Sequence, residues 1–176
     1  MRFIALFVIA TIISSNFAIE WKLYKQCNGA WAQNTLSGGK TICAVGCLMS
    51  SVAMALTTFN RPCGVSPCTP GALNSWLKKN GGYVGNLFAW GAVARLGFAY
   101  LGQPSDKSVI ANHCKSGKIV VLNVKRGGHW VLCTGVGSGI FNVNDPGGNR
   151  PTYPFGEVVR AGIFRKTFMT LHDLLV

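Results

Sequence analysis

The chain has 176 residues, 49% of them hydrophobic and 12% charged, with a mean hydropathy of +0.31. This composition excludes a disordered polyelectrolyte and suits one domain with a core of its own. The 17 Lys and Arg face five Asp and Glu, a net charge of +12, which draws a protein to anionic polymers; the basic residues are scattered, however, and no nucleic-acid-binding module is visible.

Met1-Arg2 opens onto an uncharged run from Phe3 to Ile13, followed by Ser14-Ser15-Asn16-Phe17-Ala18. One positive charge, an apolar stretch of about eleven residues and a small residue at its end predict a secretory signal peptide over 1–18. The run is shorter than the roughly 20 residues of a membrane span. Residues 19–176 then form a single secreted or lumenal domain, expected to be monomeric and without a membrane span.

Trp21 to Gly39, rich in Gly, Asn and Gln, reads as an extended entry segment. Cys47 opens an apolar run that predicts a helix to about Phe59, stopped by Asn60-Arg61-Pro62. Cys63 to Cys68 is a turn-rich loop, short enough to be closed by its own disulfide. Thr69 as N-cap, Pro70 in the first turn and Gly81 beyond the end delimit a second helix. A third, short helix is predicted from about Phe88 to Leu96 and a fourth from Lys107 to Lys115. β-branched content then predicts strands over Lys118–Val124, His129–Gly135 and Ile140–Asn144, joined by Gly-rich turns. Thr167 to Leu175 reads as a short helix or strand. Helices first and an antiparallel meander second make an α+β fold.

Seven cysteines in an exported chain leave at least one thiol unpaired. Cys47 has the best context, because the free N–H groups and macrodipole of a helix start favour the nucleophilic thiolate. Cys43, four residues earlier, is the alternative. The other six are expected to form three disulfides: Cys63–Cys68 as the local pair, with Cys27–Cys43 and Cys114–Cys133 chosen among many possible connectivities. Their spacings lack a paired CxxC pattern, so neither a zinc site nor another cofactor is expected.

Downstream lie His129 and Asp145. With the hairpin turn on Gly137-Ser138, paired residue numbers sum to about 275. His129 then faces Pro146, and Asp145 faces Trp130. The two side chains thus share one end of neighbouring strands, where a carboxylate can orient an imidazole. Cys47 as nucleophile, His129 as base and Asp145 as orienting acid make a triad for acyl transfer. The Cys47 backbone N–H and a side-chain amide, from Gln26 or Gln33, would receive the developing oxyanion.

Several stretches resemble the C39-like peptidase domain: Tyr24-Lys25-Gln26 and Trp31, Gly46-Cys47 leading into Ser51-Val52-Ala53-Met54, Thr69 to Leu77, Gly128-His129-Trp130-Val131-Leu132 and Asn144-Asp145-Pro146-Gly147. The similarity runs in order through nearly all of residues 19–176. It implies a papain-like cysteine protease fold, with Cys47, His129 and Asp145 as the triad and Gln26, matching the family's early glutamine, as the oxyanion amide. Many C39 domains are fused to exporters and cut leaders after a double glycine; nothing in this sequence resembles such a transporter, so that substrate is not carried over. The expected activity is hydrolysis of a peptide or other amide bond. A peptidoglycan amidase or endopeptidase with the same triad, suited by the positive charge, and an inactive basic binding protein are the alternatives.

Overall fold

A computed structural model describes residues 19–168; the predicted signal peptide and the residues from 169 on, where most of the last predicted element falls, lie outside the described residues. The described helices are α1 (Ile42–Val45), α2 (Cys47–Thr58), α3 (Pro70–Lys79) and α4 (Lys107–Lys115). The strands are β1 (Tyr83–Val84), β2 (Leu87–Phe88), β3 (Phe98–Gly102), β4 (Ile119–Val124), β5 (His129–Val136), β6 (Ile140–Asn144), β7 (Thr152–Pro154) and β8 (Arg160–Lys166). β1 and β2 form a small hairpin; the other six form one antiparallel sheet in the order β3-β8-β4-β5-β6-β7.

The sequence of β4 explains its central place. All six of its residues are buried, as expected of a strand covered on both faces. Its alternate side chains divide between two cores. Ile119 and Val121 join Met49, Val52, Leu56, Leu73 and Leu77 on the α2–α3 side. Val120, Leu122 and Val124 join Ile110 and Ala111 of α4, with Val131, Phe141 and Tyr153. α2 runs through the first core and is buried at every position from Met49 to Leu56, hence its apolar character all round rather than along a stripe.

The expected α+β order is present, and β4 to β7 are the expected meander with one further strand. Four elements differ from the sequence expectations. The third predicted helix is instead the end of the β1–β2 hairpin followed by a short 3-10 turn at Ala92–Leu96. β3 and β8 were not expected, and β8 returns to lie between β3 and β4. α1 occupies a stretch expected to be irregular.

The three expected disulfides, Cys27–Cys43, Cys63–Cys68 and Cys114–Cys133, are all present, leaving Cys47 as the free cysteine. Cys114–Cys133 ties α4 to β5. Three disulfides suit an oxidising compartment. Among the described residues no helix is long and apolar enough to cross a membrane.

Candidate active site

Cys47 owes its position to a break between two helices. Thr41 caps α1, its side chain accepting from the Ala44 N–H. α1 lasts one turn, the Gly46 N–H donates to the Ile42 carbonyl at 2.7 Å, and α2 starts afresh at Cys47. Gly46 is required there, since a Cβ would lie 2.5 Å from the Ile42 carbonyl oxygen. Cys47 therefore occupies the first turn of α2, where backbone N–H groups lack partners within the helix. It is half-buried.

His129 begins β5 after a tight turn in which Lys125, Arg126 and Gly127 all have left-handed backbone (φ 52°, 55° and 94°). The buried Asn123 pins this turn, its Nδ2 donating to the carbonyls of Gly127 at 3.0 Å and His129 at 3.1 Å. Asp145 follows β6. The β5–β6 pairing runs Leu132↔Asn144 and Cys133↔Val143, then shifts by one across a bulge. Paired numbers sum to 277 beside the turn, which centres on Ser138-Gly139 rather than Gly137-Ser138, and the bulge at Thr134 brings them back to 276 towards His129. The side chains still meet: His129 Nε2 lies 2.7 Å from Asp145 Oδ1, both residues being buried.

The Asp145 carboxylate has two further donors, the Gly147 N–H to Oδ1 at 2.8 Å and the Tyr153 hydroxyl to Oδ2 at 3.1 Å. Lys25 clamps the same loop, its Nζ donating to the carbonyls of Asp145, at 2.9 Å, and Gly148. Burial works against the charge on Asp145, but the bonds from His129, Gly147 and Tyr153 outweigh it and hold the carboxyl at about 2. Burial likewise opposes a charged His129, yet hydrogen bonds with Asp145 and Cys47, and the charges of both, raise the imidazole to about 9. With Nε2 on Asp145, Nδ1 is the nitrogen left for Cys47.

Gln26 reaches the same place from the entry segment. Its N–H donates to the Pro146 carbonyl at 2.9 Å, and its Nε2 to the Cys43 carbonyl at 2.6 Å. Its Oε1 is buried without a hydrogen-bond partner. Gly147 marks how closely these groups crowd together: a Cβ there would lie 2.8 Å from His129 Cε1 and 3.2 Å from Gln26 Oε1. Gln33, the other amide considered, is exposed in the turn at residues 31–33.

The structure thus brings together Cys47, His129, Asp145 and Gln26, leaves Gln33 outside, and pairs Cys43 in a disulfide. Tyr153, Lys25 and Gly147 also belong to this cluster and were not anticipated. Tyr153 carries no local signal, since its place depends on the β6–β7 register that pairs it with Phe141. Among the described residues no group of three or more His, Cys, Asp or Glu is arranged to hold a metal ion.

No family model matches the chain, and no curated protein matches it. Among solved structures it is similar to a double glycine motif protease from an AMS/PCAT transporter, determined in complex with the leader peptide. The two share 16% identity with a TM-score of 0.52, over 87% of this chain and 96% of that one. At that identity the likeness concerns the fold, and this chain has the α+β fold of that protease.

Proposed function

We propose that the chain is a secreted cysteine hydrolase with a papain-like site that cleaves peptide or other amide bonds. One observation carries this reading: His129, raised to about 9, is held between Asp145 and a free cysteine at a helix start. At neutral pH such an imidazole is protonated, and its ring N–H faces the Cys47 sulfur. A ring N–H so placed is the partner an activated thiol nucleophile needs.

The proposed steps are these. Cys47 Sγ attacks the carbonyl carbon, and the C=O electrons move to oxygen. The oxyanion accepts from the Cys47 N–H and from the second N–H of the Gln26 amide, whose first is already given to Cys43. His129 passes its proton to the leaving nitrogen, the C–N bond breaks, and a thioester remains on Cys47. Water then attacks, with His129 taking its proton, and the acid product leaves as Cys47 returns to thiolate. Asp145 keeps its charge throughout and fixes the orientation of the ring.

The fold neighbour was solved with a peptide, which makes peptides the first substrates to try. The net charge of +12 favours a second reading, in which the same triad cuts the peptide stems of an anionic cell-wall polymer. Residues 1–18 as signal peptide and 19–176 as one domain complete the proposal, in accord with the three disulfides.

The experiment combines a thiol-directed probe with a panel of peptides and peptidoglycan fragments. Wild type should be labelled at Cys47 and hydrolyse at least one substrate. Cys47→Ala should abolish turnover while the fold and disulfides persist, and His129→Ala should come close to it. Asp145→Ala should be milder, and Gln26→Ala should lower kcat by about 10²–10³. Equal activity in wild type and Cys47→Ala, or none in either, would replace this reading with a binding protein.

A further inference from the structure

The disulfide Cys27–Cys43 joins the two segments that deliver the proposed site. Cys27 directly follows Gln26. Cys43 supplies the carbonyl that accepts the Gln26 amide at 2.6 Å, and it lies one turn before Cys47. With Oε1 unpartnered, that bond is the one hydrogen bond made by the Gln26 side chain among the described residues. Around Gln26 the entry segment has no helix or strand; it is held by the Gln26 N–H to Pro146, the Lys25 clamp, the Trp31 indole and Asn28 backbone N–H groups on the Lys25 carbonyl, and the Cys43 N–H on the Ala32 carbonyl. A covalent link between the neighbour of the amide and the residue that holds the amide fixes where the second Gln26 N–H points.

The three disulfides also differ in access. Cys27 is exposed and Cys43 half-buried. Cys63, Cys68 and Cys133 are buried, at 4%, 1% and 1% exposure, and Cys114 is half-buried, so Cys27 is the one exposed disulfide sulfur among the described residues. A soluble dithiol therefore reaches Cys27–Cys43 first, since exchange requires direct approach to a sulfur.

We propose that Cys27–Cys43 positions the oxyanion amide of Gln26, and that a dithiol reductant opening this bond turns the site down without consuming Cys47. The proposal rests on the hydrolase reading above. In the redox step, a thiolate of the dithiol attacks Cys27 Sγ and the Cys27–Cys43 bond breaks. The second thiol of the reductant then displaces Cys27. The reductant leaves as its own disulfide, having given two electrons and two protons, and Cys27 and Cys43 remain as thiols. The disulfide is a positioning device: it touches no reacting atom and acts through Gln26.

The test is a cycle in the full chain of Cys27→Ser/Cys43→Ser, Gln26→Ala and the triple variant. Removing the disulfide should lower kcat about tenfold or more, towards the loss expected for an oxyanion donor, with KM little changed. In the Gln26→Ala background it should cost nothing further, an outcome a merely structural bond would not produce. A second readout needs no activity: the Gln26 side-chain amide resonances, assigned by their absence in Gln26→Ala, should shift and exchange faster once the disulfide is gone. If the double variant misfolds, titrating wild type with dithiothreitol while mapping alkylated Cys27 and Cys43 reads the same loss. Losses that multiply in the triple variant overturn the positioning role. Unmoved Gln26 resonances with Cys27 and Cys43 reduced overturn it even if no substrate is ever cleaved. An unchanged kcat in Gln26→Ala instead removes the oxyanion role from the mechanism, and the resonances then decide the positioning on their own.

Discussion

Asp145 shows how much a single buried carboxylate depends on its donors. His129 and Gly147 share Oδ1, while Tyr153 alone serves Oδ2. The phenol is fully buried, and burial first, then the charge of Asp145, pushes it up to about 12, so it remains a donor at any working pH. Tyr153→Phe removes only that hydrogen bond. The carboxyl then rises from about 2, its support for the imidazolium weakens, and His129 falls from about 9. In wild type, kcat/KM should decline as pH rises through about 9, because this limb reports the free-enzyme imidazolium. In Tyr153→Phe the same limb should move to lower pH, and stability should drop by about 1.5–3 kcal/mol, the scale of a bond to a charged group. A limb that stays in place in the variant would show that Tyr153 does not act through Asp145. The principal groups of this site were legible in the sequence because each is a chemically unusual residue in a telling place: a leftover cysteine at a helix start, and a histidine and an aspartate bracketing a hairpin. Tyr153 was not, because an aromatic in a short strand is ordinary core until register places its hydroxyl.

At the scale of elements, the α1–α2 junction positions Cys47, the proposed nucleophile. The ten residues before Cys47 have no long helical pattern, yet Thr41 caps a single turn and Gly46 lets the chain restart. Gly46→Ala would drive a Cβ to 2.5 Å from the Ile42 carbonyl and 2.7 Å from Ile42 Cγ2, both belonging to a fully buried residue. One of the two helices must move, and both lead to Cys47. The variant should fold with a lower Tm and lose at least about tenfold in the alkylation rate of Cys47, as small displacements near a reacting group can cost about 10²-fold. An unchanged alkylation rate at a lowered Tm would make Gly46 a matter of packing alone. The longer elements, α2, α3, α4 and β4 to β6, were legible from caps, apolar runs and turn residues. β8 was hidden by Gly162, a strand-weakening residue. That glycine is needed because Trp90 packs against it so closely that a Cβ would sit 2.0 Å from the ring. β3 is short and finds its partner only when β8 returns, a long-range pairing that no local pattern announces.

For the whole molecule, the buried charge pair His129–Asp145 contributes to the stability of the fold as well as to the proposed chemistry. His129 is raised above its ordinary 6.5, so its contribution is complete below about 6.5 and fades as pH rises through about 9. Asp145 is lowered from 3.8, so its contribution is complete above 3.8 and fades as pH falls through about 2. The pair therefore stabilises most between about pH 4 and 6.5. The Asp145→Asn variant keeps the shape but loses the charge. Its Tm should trail that of wild type by the widest margin within this window, and the margin should narrow from pH 6.5 to about 9, because over that range the imidazole is neutral in the unfolded chain and still protonated in the folded one. Thermal scans at closely spaced pH values, with the disulfides oxidised, measure the margin directly. A gap that stays constant from pH 5 to pH 10 would mean that His129 is neutral in the folded protein, and the proposed role of a protonated His129 beside Cys47 would lose its support.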